Sequence, residues 1–248
     1  MSKTNTESIE IANYITKYLN EYMKYAKSTS NCTLKSYKDS LRLYLEYLET
    51  IGINLTNLSY ECFNTQNIEN WLVYLKDVRN NSNQTINLRL TSLKVFLEYL
   101  GKQDISLLYI YTQACTIPKR KVPKIKVKGI SKNAIQVLFN SINQATIKGR
   151  KDLTMFVLMY NTAARLNEIL SLKLKDVILN VQEPYITIIG KGNKLRCLYL
   201  LPKTVEYLKL YIEENHINSD SNDYLFYSNI KGKQCKLSEQ SIEKQLRK

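Results

Sequence analysis

A single histidine and five scattered cysteines leave this chain without the makings of a zinc site. Zinc takes several closely spaced Cys or His ligands. Cys32, Cys62, Cys115, Cys197 and Cys235 include no C-x-x-C pair, and His216 stands alone. Five is also an odd number, which suits free thiols in a reducing compartment better than a disulfide framework. No metal and no cofactor is expected. Glycine (7) and proline (4) are scarce in 248 residues, which excludes a turn-rich architecture and favours long elements. Long apolar runs are missing too. The best one, around Met155–Tyr160, is far short of the about 20 residues that span a bilayer. The first residues, MSKTNTESIE, are polar and acidic rather than basic and then apolar, so they do not read as a secretory leader. A cytoplasmic protein without a membrane partner is expected.

What the chain has in excess is positive charge: 36 Lys+Arg against 22 Asp+Glu, a net +14. Such an excess points to a polyanion, because cations that neutralise phosphates release condensed counterions. The abundance of Lys, Asn, Ile and Tyr also fits AT-rich coding, so clustering of the charge carries more weight than its total.

Hydrophobic spacing near 3.6 predicts helices through the first hundred residues. Ile9, Ile11, Ile15, Tyr18 and Leu19 mark one over 8–27. Leu34, Tyr37, Leu41, Leu45 and Leu48 mark a second over 33–51, with Asn31 as cap and Gly52 as stop. A third over 66–78 turns Ile68, Trp71, Leu72 and Leu75 inward. The fourth, over 85–100, has the stripe Ile86, Leu90, Leu93, Leu97 and Leu100, with Gly101 ending it. Basic residues sit off these stripes: Lys35, Lys38 and Arg42 on the second helix, Arg89 and Lys94 on the fourth. Residues 1–112 therefore read as a compact all-helical domain.

Composition then shifts. Residues 119–128, KRKVPKIKVK, carry six cations and no acid, with Pro118 and Pro123 alongside. Proline resists helix and like charges keep the chain open, so 113–129 reads as an extended basic linker. Lys119, Arg120, Lys121 and Lys124 in it could follow a phosphate backbone; a solvated run without a partner is the plainer reading.

The segment 130–248 has mixed periodicity. Ser131 caps a helix to about 145, 152–162 is a buried helix, and 165–172 a short one. Two β-rich runs, Tyr185–Ile189 and Leu195–Leu201, flank Gly-Lys-Gly-Asn-Lys and read as a hairpin. Pro202 opens a helix to about 214. Tyr224–Tyr227 reads as a strand, and Ser238 starts a last helix.

Two features here suggest chemistry. Arg165 follows small residues, and Glu168, three positions on, can hold its guanidinium for bidentate phosphate binding. An ordinary helix-surface pair is the plainer reading on spacing alone. Lys191, at a glycine-flanked tip with Lys194 and Arg196 behind it, could reach a phosphate or give a proton to a leaving alkoxide; a plain basic turn would look the same.

Taken together these segments resemble the tyrosine recombinases, or phage integrases. Tyr160-Asn-Thr-Ala-Ala-Arg-Leu-Asn-Glu-Ile-Leu-Ser-Leu-Lys-Leu-Lys-Asp176 is similar to their first-arginine box. Ile189-Gly-Lys-Gly-Asn-Lys194 is similar to their hairpin, and Leu201-Pro202 to its exit. Thr33-x3-Tyr37-x3-Leu41 with Tyr44 and Leu45, and Thr85-Ile-Asn-Leu-Arg-Leu-Thr-Ser-Leu-Lys94 before Phe96 and Tyr99-Leu100, resemble their core-binding domain.

The resemblance implies a SAM-like all-α domain followed by a mixed α+β catalytic domain, together clamping double-stranded DNA. It also implies metal-free cleavage and rejoining through a 3′-phosphotyrosyl intermediate. Arg165 matches the first arginine, Lys191 the hairpin lysine and Glu168 the supporting acid. The family's His-x-x-Arg box and late nucleophilic tyrosine have no counterpart: His216 is followed by Ile-Asn-Ser, and each tyrosine suits packing better. The expectation is therefore a catalytic domain incomplete at its C-terminal side, and nucleoid-associated DNA binding without cleavage. Where the family forms tetramers on paired sites, a monomer or weak association is expected here. A non-catalytic regulator that occupies recombination sites fits the same residues, and a helical RNA-binding or scaffold protein is the third alternative.

Overall fold

A computed structural model describes residues 3–26, 30–124, 129–190, 192–230 and 232–246. It divides the chain into two compact units, Met1–Lys126 and Val127–Lys248.

The first unit is all-helical. Helix α1, Lys3–Lys17, widens into π-helical turns over Tyr18–Ala26. Then come α2 (Asn31–Thr50), α3 (Thr65–Asp77), α4 (Asn83–Gln103) and α5 (Leu108–Thr116), with short 3₁₀ turns at Tyr60–Phe63 and Ile105–Leu107. The expected stripe of α4 is fully inside: Ile86, Leu90, Leu93, Leu97 and Leu100 are at most 1% exposed. Each such side chain contributes about 1.5–3 kcal/mol of burial. Around it pack Trp71, Tyr44, Phe63 and Phe96. Tyr44 meets Trp71 edge-on at 5.0 Å and donates to the Cys62 carbonyl at 2.7 Å.

Three local expectations change. Ser30, not Asn31, caps α2, its hydroxyl accepting from the Thr33 N–H. The first helix buries Ile11 and Tyr18 but leaves Ile9 half exposed. Gly101 does not end α4; it lies inside the helix and is buried. A Cβ there would sit 3.0 Å from the Leu108 Cα, so glycine lets α5 close onto α4. Gly52 does stop α2, at φ +84°.

The helical unit also extends beyond residue 112, because α5 runs to Thr116 and the segment after it is bonded to α4. Asn87 accepts from the Arg120 N–H and donates to its carbonyl, both at 2.8 Å. Asn83 donates to the Lys121 carbonyl at 3.0 Å. The first part of the basic stretch is thus extended, as expected, but fastened rather than open.

The second unit is mixed. It runs α6 (Lys132–Ser141), α7 (Ile147–Thr162), α8 (Leu166–Leu170), β1 (Val177–Ile178), β2 (Tyr185–Ile189), β3 (Leu195–Tyr199), α9 (Pro202–Asn215), β4 (Tyr227–Ile230), β5 (Lys233–Lys236) and α10 (Glu239–Leu246). Strands β1-β2-β3 form an antiparallel sheet in that order, and β4-β5 a separate hairpin. The register of β2 on β3 sets Tyr185 opposite Tyr199 and Ile189 opposite Leu195. Ile186 and Ile188 point into a core built on Met155, Leu158, Ile169, Leu208 and Phe226. The strand expected over Tyr224–Tyr227 begins only at Tyr227; Tyr224 makes a lone bridge to Lys173. The β4-β5 hairpin was not expected.

Candidate functional site

The linker between α7 and α8 builds the site. Helix α7 ends at Ala163, which lies in the left-handed region at φ 49° and closes the helix by donating to the Met159 carbonyl at 2.9 Å. That reversal places Arg165 at the N-cap of α8. The expected helix over 165–172 thus shortens to 166–170, and the Arg165 N–H is left for a side chain to satisfy. Alanine has no reason to prefer positive φ. Ala163→Gly should therefore stabilise the second unit by about 0.5–1 kcal/mol, read as a raised midpoint in urea unfolding.

Glu168 is that side chain. Its carboxylate, 8% exposed, accepts from the Arg165 N–H at 2.8 Å and from Arg165 Nη1 at 3.0 Å. It also accepts from Arg196 Nη2, on β3, at 2.8 Å. The backbone N–H of Arg165 and then the two guanidinium groups hold its carboxyl below the usual carboxylate value. Two arginines from distant parts of the sequence are thereby pinned to one carboxylate, while their outer faces remain open: side-chain exposure is 67% for Arg165 and 45% for Arg196. Such paired, pre-aligned forks suit a phosphate.

A cleft of about 450 Å³ opens beside them, lined by Arg165, Asn167, Glu168, Ser171, Thr187 and Gly190 among others. Among the described residues, no tyrosine lines it. Gly190 closes the hairpin turn by donating to the Lys194 carbonyl at 2.8 Å, and Gly192 and Asn193 take positive φ. Lys191 lies outside the described residues. Lys194 is exposed.

Three residues at this site escaped the sequence reading. Lys236, on β5, donates to Asn167 Oδ1 at 2.6 Å and Ser171 Oγ at 2.5 Å, bracing α8 from the second hairpin. Asn167 and Ser171 share a helical face at i, i+4, the one local signal; the lysine, 65 or more positions away, had none.

His216 is a packing residue. Its Nε2 faces the Leu225 carbonyl at 2.9 Å and its Nδ1 the Ser219 hydroxyl at 3.0 Å. A carbonyl can only accept, so Nε2 carries the proton and Nδ1 accepts. Burial lowers its pKa, keeping the ring neutral between Tyr211 and Tyr227.

In the first unit the structure sorts the basic residues. Lys35, Lys38 and Arg42 are exposed on α2, with Arg42 paired to Glu46 and 3.9 Å from Asp39. Lys35 and Arg89 share a cleft of about 260 Å³ between α2 and α4, together with Ser36, Asp39, Thr85 and Leu88. Arg89 is partly buried, and its Nη1 has no hydrogen-bond partner among the described residues. Burial, then the Arg79 charge, lowers its pKa. Lys94 is not on that face. Its ammonium donates to the Ile117 carbonyl at 2.8 Å, and burial lowers its pKa. Arg120 turns inward to the Leu72 carbonyl at 3.0 Å, while Lys119, Lys121 and Lys124 stay exposed.

Comparison with known proteins identifies the family of both units. Residues 128–248 match the model of the phage integrase family, and residues 15–104 that of the phage integrase N-terminal SAM-like domain. Tyrosine recombinase XerC of Staphylococcus epidermidis is 29% identical over 216 residues, covering 85% of this chain and 67% of the relative. Tyrosine recombinase XerD of Staphylococcus saprophyticus is 29% identical over 201 residues, covering 79% and 64%. The chain thus spans about two thirds of the length of these relatives. Among solved structures, the pre-cleavage complex of XerH site-specific recombinase with difH substrate matches with a TM-score of 0.63 at 22% identity, covering 99% of this chain and 73% of that one. A lambda integrase tetramer bound to a Holliday junction also gives 0.63, at 13% identity, covering 100% and 69%. Among the described residues, no helix is long and apolar enough to cross a membrane.

Proposed function

The chain belongs to the phage integrase family of tyrosine recombinases, and from that premise we propose that these 248 residues bind duplex DNA and hold half of a strand-transfer site, without themselves cleaving. The observation that carries this reading is the anchoring of Arg165 and Arg196 on Glu168, which leaves the outer faces of both guanidinium groups exposed and sets Arg165 in the lining of a cleft.

In the family reaction a tyrosine attacks a backbone phosphate, and positive groups stabilise the charge that develops on the phosphoryl oxygens. Here Arg165 takes that charge, with Glu168 positioning it. Lys191 is assigned the proton for the departing 5′-oxygen. Lys35, Lys38, Arg42, Arg89, Lys119, Lys121, Lys124 and Lys194 contact phosphates and set orientation rather than sequence. The missing element is a His-x-x-Arg box. The sole histidine, His216, is locked in a core, so it cannot donate to a phosphoryl oxygen at the Arg165 cleft. The same fact favours a second role on the same DNA: a binder that occupies recombination sites and keeps an active recombinase off them.

The test mixes the purified chain with labelled duplex DNA, followed by native and denaturing gels. A retarded complex that disappears in denaturant is expected. A denaturant-stable protein–DNA adduct refutes the non-cleaving reading; the absence of any retarded complex refutes binding.

A further inference from the structure

On α4, Asn83, Asn87 and Lys94 fall within about 40° of one another around the helix axis, whereas Arg89 lies about 120–160° from them. The three share one task. Lys94 donates to the Ile117 carbonyl, Asn87 pairs with both backbone groups of Arg120, and Asn83 donates to the Lys121 carbonyl. Arg120 adds a fourth tie by donating to the Leu72 carbonyl on α3. The amide of Asn87 acts as a strand edge would, satisfying the N–H and C=O that an extended residue turns to the same side. All three of these polar side chains are thus used to fix main chain. The side chains of Lys119 and Lys121, either side of Arg120, are left exposed.

We propose that Asn87, with Asn83 and Lys94, is a positioning residue for DNA binding: it holds 117–121 on α4 so that Lys119 and Lys121 present a pre-ordered pair of ammonium groups to the phosphate backbone. This rests on the reading of the basic stretch as a phosphate contact. Without the fastening, the segment must be ordered when DNA arrives, and its ordering entropy is subtracted from affinity. The charge is unchanged, so the number of counterions released stays the same. Lys94 belongs to the positioning set rather than to the contact set.

The test uses the whole chain as wild type, Asn87→Ala, Asn83→Ala and the double variant Lys119→Gln/Lys121→Gln. Trypsin cleavage after Lys119, Arg120 and Lys121 is mapped by mass spectrometry, and binding to a fluorescent duplex of mixed sequence is measured from about 50 mM to about 200 mM salt. Asn87→Ala should be cut there about tenfold faster and bind several-fold more weakly with its salt slope intact. Asn83→Ala should move the same way by less, which keeps the result readable if Asn87→Ala folds poorly. Asn87→Asp keeps the acceptor but loses the donor, and should fall between wild type and Asn87→Ala in cleavage. The lysine double variant should flatten the salt slope by about 2.

If both asparagine variants bind like wild type while the lysine variant binds more weakly, Asn87 positions nothing for DNA; the proposal falls and the phosphate-contact reading survives. If the lysine variant also binds like wild type, the stretch takes no part in binding and both fall.

Discussion

Glu168→Gln should destabilise the second unit by about 2 kcal/mol and flatten its acid limb. The carboxylate accepts three hydrogen bonds, one from the N-cap N–H of α8 and two from guanidinium groups. Hydrogen bonds to charged groups contribute about 1.5–3 kcal/mol each. Solvent around the outer faces of Arg165 and Arg196 screens much of that, so the sum is discounted heavily. The folded pKa of Glu168 is depressed, first by the Arg165 N–H. Its stabilisation is therefore fully present above the ordinary carboxylate value of 4.5 and is lost as pH falls through the lower folded value. Wild type should lose stability in that window, and Glu168→Gln should lose less of it. Glu214 and Asp220, also depressed, preserve part of the slope. Urea midpoints from pH 7 down to about pH 3 read both effects. An unchanged acid limb would mean that Glu168 is not the anchor.

Gly149→Ala should cost about 2–4 kcal/mol. A Cβ at Gly149 would lie 1.8 Å from the Asn143 carbonyl oxygen and 2.7 Å from its carbon. Both are backbone atoms, so no rotamer change relieves the clash. The turn 143–146 must move, and with it Thr146, whose hydroxyl caps α7 by accepting from the Gly149 N–H at 3.0 Å. Loss of that cap costs about 1 kcal/mol, and overpacking adds about 1–3 kcal/mol. Helix α7 carries Met155 and Leu158 into the core and ends at Ala163, so the damage propagates to the turn that seats Arg165. Thermal unfolding should drop by about 10 °C or more. A variant that melts like wild type would show that the 143–146 turn is not held where the structure places it.

The legible parts of this protein were those written locally. The α4 stripe, the Ser131 cap, the Gly52 stop and the β2-β3 hairpin each depend on residues a few positions apart, and period or turn chemistry reveals them. The Arg165–Glu168 pair was legible for the same reason. What sequence spacing did not show was long-range. Arg196 was read as one more basic residue behind a turn; only the sheet register carries it to Glu168. Lys94 was grouped with Arg89 because both lie off the apolar stripe, yet its ammonium is committed to a backbone carbonyl. Gly101 looked like a helix stop because the apolar period ends there, but the close approach of Leu108 explains it better. The β4-β5 hairpin is short, polar and weakly patterned, so neither it nor the hold of Lys236 on α8 left a periodic trace.

The most direct test of DNA binding is the affinity of the 248-residue chain for a duplex of mixed sequence, titrated with salt. Neutralisation of about six phosphates by the basic residues of the two units predicts a straight plot of log affinity against log salt, with a slope of about −5 or steeper. An affinity that does not change with salt, or no binding at low salt, would contradict it.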